Sequence, residues 1–247
     1  MAGHSHSSNI KHRKGAQDAK KAKLFTKLQR EITVSAKAGQ ADPEFNARLR
    51  NAIIAARTNN MPKDRIDSAI KKATSAGEGD NFEEIRYEGY GPNGVAFVVG
   101  ALTDNRNRTA GEVRSIFTKS GGSLGESGSV AFMFDHIGLI EYEAKTASAD
   151  AIFEAALEAG ASDVQSNNEW HIITCETANF SQVRDALITE FGDPITAKLD
   201  WTPKNTVELD FETAQKILKL VDLLEDNDDV QSVAGNYVIP DEVAEKL

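Results

Sequence analysis

The amino-acid sequence predicts a multidomain α+β protein with an N-terminal three-helix domain, a middle α+β domain completed by the C-terminal segment, and an inserted ferredoxin-like α+β domain. Three observations predict this fold class. Apolar residues recur every three or four positions between residues 16 and 73, as on the buried face of a helix. After residue 81 the pattern changes to short strand-like runs separated by helical segments. Between residues 139 and 200 these segments follow the order βαββαβ, which is ferredoxin-like.

The first predicted helix covers residues 16–38 and has two different faces. Phe25, Leu28 and Ile32 form an apolar stripe along one side. Cations recur with the same period and point to nearly the opposite side, since each residue turns the helix by about 100°. These cations are Lys20, Lys23, Lys27, Arg30 and Lys37.

Two shorter helices are predicted to follow. Asp42 and Pro43 are expected to be the N-cap and first residue of the second helix, with Phe45 on its buried face. Pro62 predicts the start of the third helix, in which Ile66 faces the core. Three short amphipathic helices can bury one another's apolar faces, so a small bundle is expected. Residues 75–80 have the composition of a linker.

The middle of the chain predicts strands over residues 85–90 and 95–102, joined by the turn sequence GPNG. Thr109 and Glu112 predict a capping box at the start of the next helix. Residues 129–134 alternate like a further strand. The C-terminal strand–helix–strand segment is too short to fold alone, so we expect it to complete the middle sheet. The predicted domains are therefore residues 1–78, residues 79–134 with 204–247, and residues 135–203.

Composition limits the classes of protein that this chain can belong to. It has 247 residues, of which 40% are hydrophobic, and no apolar run is long enough to cross a membrane. The first residues lack the apolar segment of a secretory signal. A single cysteine, Cys175, excludes an internal disulfide and favours a reducing compartment. We expect a cytoplasmic protein in which Cys175 is a buried thiol.

Charge divides the chain into two unlike parts. The overall net charge is −10, but residues 1–75 contain 16 basic and six acidic side chains, a net charge of +10. The remaining residues contain 12 basic and 32 acidic side chains, a net charge of −20. A basic end on an acidic protein predicts an interaction with a polyanion such as nucleic acid.

The candidate phosphate contacts lie in the basic N-terminal part, because phosphate contacts need long cationic side chains. They are Lys11, His12, Arg13, Lys14, Lys20, Lys23, Lys27 and Arg30, with Arg48, Arg57, Lys63, Lys71 and Lys72 as secondary contacts. Arg106 and Arg108 form the only basic cluster of the middle domain. That cluster is either a second polyanion contact or a turn whose arginines pair with neighbouring acids.

Other motifs predict structural roles. The glycine-rich segment 121–128 lacks the lysine of a phosphate-binding loop and precedes a strand, so it is expected to be a structural loop. The acidic run 225–229 lacks the spacing of a calcium loop and predicts a solvated turn. No Ser/His/Asp, HExxH, Gly-x-Ser-x-Gly or dinucleotide fingerprint is present in the sequence, and Ala2-Gly3-His4 would suit Cu(II) or Ni(II) only as a free N-terminus after loss of Met1. We therefore expect a non-enzymatic protein without a metal or cofactor.

Several long motifs resemble the YebC family, whose mitochondrial members include the translational activator of cytochrome c oxidase. They include HSHSSNIKHRKGAQDAKKAKLFTKL, NNMPKDRIDSAIKKAT, YEGYGPNGVA and LTDNRNRTAGEVRSIFTKSGGSLGESGSVAFMF. The resemblance covers almost the whole chain and implies three domains and a role in gene expression. One departure stands at residues 4–7, where the family usually has His-Ser-Lys-Trp and this chain has His-Ser-His-Ser. Any contact that needs that tryptophan as a stacking platform is absent here.

The resemblance and the charge pattern leave three hypotheses. The first is a DNA-binding regulator of transcription, which the family resemblance favours. The second is a ribosome-associated translation factor that binds ribosomal or transfer RNA and relieves stalling at difficult sequences such as consecutive prolines. Residues 63–65 favour it, because mixed charge at the start of the third helix is unsuited to reading bases in a helix-turn-helix arrangement. The third is a protein-interaction module in which the acidic domains recognise the partner.

Overall fold

A computed structural model describes residues 17–74 and 81–247, and it confirms the α+β fold class predicted from the sequence. The helices are α1 (Gln17–Ala38), α2 (Ala47–Thr58), α3 (Lys63–Thr74), α4 (Arg106–Lys119), α5 (Ala149–Ala159), α6 (Phe180–Phe191), α7 (Phe211–Glu225) and α8 (Asp241–Ala244). The strands are β1 (Glu83–Tyr90), β2 (Ala96–Thr103), β3 (Ser123–Leu124), β4 (Phe134–Glu143), β5 (Asp163–Ser166), β6 (Trp170–Glu176), β7 (Thr196–Pro203), β8 (Val207–Glu208), β9 (Val230–Gly235) and β10 (Tyr237–Val238).

The described residues form two compact units. One unit contains residues 17–27, 81–135 and 201–247, and the other contains residues 28–74 and 136–200. None of the helices in the described ranges combines the length and the apolar character needed to cross a membrane.

The first unit is built on a four-stranded sheet with the strand order β3-β1-β2-β9. Strands β1 and β2 form an antiparallel hairpin, and its turn places Asn93 and Gly94 at φ values of 57° and 73°. Those positive angles suit Asn and Gly, which explains the GPNG sequence. Helices α4 and α7 contribute to the apolar core of this unit, where the rings of Phe97 and Phe117 lie 6.0 Å apart in an edge-to-face arrangement.

The C-terminal segment completes this sheet. Strand β9 pairs antiparallel with β2, and the short strands β8 and β10 pair in parallel. Residues more than 100 positions apart therefore share one sheet. We propose that the domains of the chain are residues 1–78, residues 79–134 with 204–247, and residues 135–203.

The second unit contains the ferredoxin-like sheet, in which the strand order is β5-β6-β4-β7. Strand β4 pairs antiparallel with β6, and Ile140 lies opposite Ile173. The buried faces of α5 and α6 form one core with these strands. Cys175 belongs to that core as a buried free thiol, as predicted, and burial raises its pKa to about 11.

The start of α2 differs from the prediction. Helix α2 begins at Ala47, and its N-cap is Asn46, whose side chain accepts a hydrogen bond from the backbone N–H of Leu49. Asp42 instead accepts from the N–H of Glu44 in a turn that precedes the helix. Phe45 lies in that turn and is 72% exposed, so its predicted place in the core was wrong. Asn46 is the better cap because its buried amide also donates to two backbone carbonyls.

Two further local predictions were wrong. The N-cap of α4 is Asn105, whereas Thr109 is fully buried inside the helix and donates to the carboxylate of Asp229. The predicted strand over residues 129–134 is a 3-10 turn at Ala131–Met133, and β4 begins only at Phe134. In both cases a contact with a distant carboxylate replaced the local pattern.

Candidate nucleic-acid interface

The first four predicted contacts, Lys11, His12, Arg13 and Lys14, lie outside the described residues. Lys20 lies in the first turn of α1, where the structure describes the backbone alone. The remaining predicted contacts lie within the described ranges. One group of them binds the protein's own oxygens, and a second group makes no hydrogen bond or ion pair with the described residues; Arg30 and Lys71 are assigned to neither group.

Lys23 and Lys27 belong to the first group. The ammonium of Lys23 lies 3.2 Å from a carboxylate oxygen of Asp226 and donates to the backbone oxygen of the same residue at 3.1 Å. Lys27 donates to the backbone oxygen of Glu225 at 2.6 Å. Burial lowers the pKa of Lys27, and the neighbouring Lys23 adds to this, while Glu225, Asp228 and Asp226 oppose it.

Arg48 also binds within the protein. Its guanidinium donates two hydrogen bonds to the Glu31 carboxylate, at 2.7 and 3.1 Å. Arg50, which the sequence reasoning did not single out, binds Asp185 at 2.8 Å. Arg30 is half-buried on α1, and Lys71 is exposed on α3. Arg48 and Arg50 both lie on α2 and bind carboxylates on other helices, so they help to hold α2 in place.

Arg57, Lys63 and Lys72 belong to the second group. All three are exposed, and none makes a hydrogen bond or an ion pair with another residue of the described ranges. They stand on α2 and α3, which are joined by a four-residue turn from Asn59 to Pro62. Their ammonium and guanidinium groups are therefore available to an anion from outside.

The turn between α2 and α3 has the length found in helix-turn-helix proteins. Asn60 adopts a left-handed conformation with φ of 58°, and Met61 is buried behind it. The C-terminal end of α2 is fixed by the hydroxyl of Thr58, which donates to the backbone oxygen of Pro194. At the start of α3, Lys63 and Asp64 are both exposed. The side chains at this position therefore present mixed charge, as the sequence indicated.

The two arginines of the middle cluster differ. Arg108 binds Asp229 at 2.7 Å and Asp104 at 2.8 Å, and these hydrogen bonds raise its pKa. For Arg108 the structure therefore matches the alternative of pairing with neighbouring acids. Arg106 is exposed and makes no hydrogen bond or ion pair with the described residues. Arg114 and Lys119, further along α4, share this property, and they were not predicted because each stands alone in the sequence, outside any basic cluster.

The glycine-rich loop is occupied by the protein's own carboxylate. Glu88, 1% exposed, accepts hydrogen bonds from the backbone N–H groups of Gly128, Val130 and Ala131 at 2.8 to 3.0 Å. Burial alone would raise the pKa of Glu88, but these N–H groups and the Arg86 guanidinium outweigh it and lower the pKa. These contacts confirm the structural role predicted for this loop, because the N–H of Gly128 and those of Val130 and Ala131 just after the loop already bind the Glu88 carboxylate.

The acidic run 225–229 is not simply a solvated turn. Asp229 is buried, and its carboxylate accepts hydrogen bonds from Thr103, Thr109 and Arg108. Earlier in the run, Asp226 is exposed and binds Lys23. The predicted turn is confirmed, and Asp226 and Asp228 are exposed, but the prediction was wrong for Asp229, whose partners are more than 100 residues away.

Two family models match the chain. The model for the TACO1/YebC protein N-terminal domain matches residues 5–76, and the model for the TACO1/YebC second and third domain matches residues 82–237. The chain belongs to the TACO1/YebC family. The second model is named as a transcription regulator, and membership places the chain in a family of regulators of gene expression. The resemblance found in the sequence is thereby confirmed.

A solved structure is similar to this TACO1/YebC chain over nearly its whole length. It is the crystal structure of a conserved hypothetical protein, Aq1575, from Aquifex aeolicus. The two chains are 48% identical and superpose with a TM-score of 0.84. The match covers 94% of this chain and 96% of the other.

Proposed function

We propose that this chain is a non-enzymatic, DNA-binding regulator of transcription that acts in the cytoplasm and holds the phosphate backbone through its helical N-terminal domain. The observation that carries the proposal is a set of exposed cations on α2 and α3 that make no hydrogen bond or ion pair with the part of the chain that the structure describes, namely Arg57, Lys63 and Lys72. The basic segment that precedes α1 adds Lys11, Arg13 and Lys14 to the same end of the sequence. Each phosphate that a cation engages releases condensed counterions, so binding depends steeply on salt.

The acidic remainder of the chain supports the same arrangement. Residues after 75 carry a net charge of −20, and a duplex repels such a surface. DNA is therefore expected to approach the helical domain. The acidic domains remain available to protein partners.

The test is a titration of a short duplex DNA of random sequence at several salt concentrations. Replacing Arg57, Lys63 and Lys72 together by Gln is expected to reduce the slope of log affinity against log salt by about 3, because each phosphate contact contributes about 0.9. The matched control replaces Lys145, Lys216 and Lys246 by Gln, three exposed cations outside the helical domain. Equal slopes for the two triple variants would refute the proposed interface.

A second candidate is a ribosome-associated translation factor that binds ribosomal or transfer RNA. The mixed charge of Lys63 and Asp64 at the start of α3 favours it, because that position should carry base-reading side chains in a DNA-reading helix. Crosslinking in cells, followed by sequencing of the attached nucleic acid, separates the two candidates. Recovery of promoter DNA without ribosomal RNA is expected for the transcription regulator, and the reverse result would establish the translation factor.

A further inference from the structure

Two lysines of α1 bind the C-terminal end of α7. The last carbonyl groups of a helix have no partner within the helix, and they form the negative end of its dipole. Lys27 donates to the carbonyl of Glu225, the last residue of α7, and Lys23 donates to the carbonyl of the next residue, Asp226. These contacts join positions 198 and 203 residues apart in the sequence.

The acidic turn, residues 225–228, surrounds these two ammonium groups with negative charge. The carboxylate of Asp226 lies 3.2 Å from the Lys23 ammonium. Glu225 and Asp228 also act on Lys27 through their charges. The turn therefore supplies carbonyl oxygens to both ammonium groups and a carboxylate oxygen to that of Lys23.

We propose that the acidic turn competes with nucleic acid for Lys23 and Lys27, and so restrains the binding of nucleic acid at α1. This inference rests on the proposed function. The Lys23 ammonium carries one positive charge and cannot neutralise both a phosphate and the Asp226 carboxylate. A phosphate therefore gains its full interaction with Lys23 only when the Asp226 carboxylate moves away. Side chains of Lys23 and Asp226 are about half exposed, at 46% and 56%, so exchange of one partner for another needs no unfolding.

The competition predicts a gain of affinity when the turn loses charge. The double variant Asp226→Asn with Asp228→Asn keeps the size of both side chains. It is expected to bind duplex DNA about three- to tenfold more tightly at low salt, because the lysines no longer have to give up exposed interactions with these two carboxylates. The matched control, Glu208→Gln with Glu212→Gln, removes two exposed carboxylates near the other end of α7 and is expected to change the affinity less than twofold.

A coupled variant distinguishes competition from a general change in net charge. Lys23→Gln is expected to weaken binding little in the wild-type chain and several-fold more in the chain that carries both Asn replacements, because Lys23 reaches phosphate only there. Thermal unfolding of each variant establishes that it is folded. Equal affinities for the turn variant and its control, or an equal effect of Lys23→Gln in both backgrounds, would overturn the proposed competition. If no variant binds DNA or RNA at all, the proposed function itself fails, which is a different result.

Discussion

Glu88 places a buried carboxylate at the end of the glycine-rich loop, where it accepts hydrogen bonds from three backbone N–H groups. Oε2 accepts from Val130 and Ala131, and Oε1 accepts from Gly128 and from the Arg86 guanidinium. Replacing Glu88 by Gln substitutes an amide N–H₂ for one of these oxygens and sets donor against donor. We expect a loss of about 2–4 kcal/mol in the free energy of unfolding, measured by urea denaturation at neutral pH.

The same residue predicts a pH dependence. The pKa of Glu88 in the folded protein is below its ordinary value of 4.5. Its stabilising effect is therefore complete above the pKa of the unfolded chain and is lost as the pH falls through the lower, folded pKa. The difference between wild type and Glu88→Gln should shrink on acidification. Glu126→Gln, in the same loop but exposed, should show neither effect. A stability difference that stays constant down to acid pH would contradict this account.

At the scale of elements, α4 contains a glycine that the fold does not require. A Cβ added at Gly111 would meet no atom within 4 Å, and Gly111 is exposed in the middle of the helix. Gly111→Ala should therefore raise the free energy of unfolding by about 0.5–1 kcal/mol, because alanine loses less backbone entropy on folding. Gly122→Ala is the contrasting variant, since its Cβ would lie 2.3 Å from the backbone oxygen of Tyr90. It should destabilise the protein by about 1–3 kcal/mol, and a destabilising Gly111→Ala would count against this explanation.

Helices and strands could be predicted from the sequence where the spacing of apolar and turn residues within a short segment determines the structure. The 3.6-residue period of Ile32 and Ala36 and the turn at Asn93 and Gly94 needed no distant information. Element starts were harder to predict. The sequence pattern at Thr109 resembles a capping box, but its hydroxyl binds Asp229, 120 residues further on. Capping side chains compete with tertiary partners, and only the fold decides which interaction forms.

At the scale of the whole molecule, the sequence was enough to predict a basic N-terminal part and an acidic remainder. It was not enough to predict which individual cations bind a carboxylate of the protein. Charge adds along the sequence, so the basic N-terminal part and the acidic remainder are visible without a structure. The choice between bound and unbound cations depends on contacts such as that of Lys23 with Asp226. Lys63 and Lys72 remain unpaired among the described residues, although nothing in their sequence distinguishes them from Lys23.

The local sequence pattern could not predict the cluster of side chains around Arg184 in the second unit. Arg184 is fully buried on α6, and its guanidinium lies 2.6 Å from the carboxylate of Asp185 and donates to the side chain of Asn51 on α2. Asp185 also binds Arg50 of α2 at 2.8 Å. A buried guanidinium is tolerated only with its charge partner, because desolvation of an unpaired ion costs several kcal/mol.

Asp185→Ala should therefore lower the free energy of unfolding by about 3 kcal/mol. Arg50→Gln should lower it by about 1–2 kcal/mol, since Arg50 is partly exposed and loses the pair with Asp185 together with its hydrogen bonds to the backbone oxygens of Pro43 and Glu44. Glu190→Ala on the exposed side of α6 is the control and should change stability by about 0.5 kcal/mol or less. All three are measured by urea unfolding at neutral pH. If Asp185→Ala were as mild as the control, Arg184 would have to be neutralised by another group, and Asp185 would not join α2 to α6.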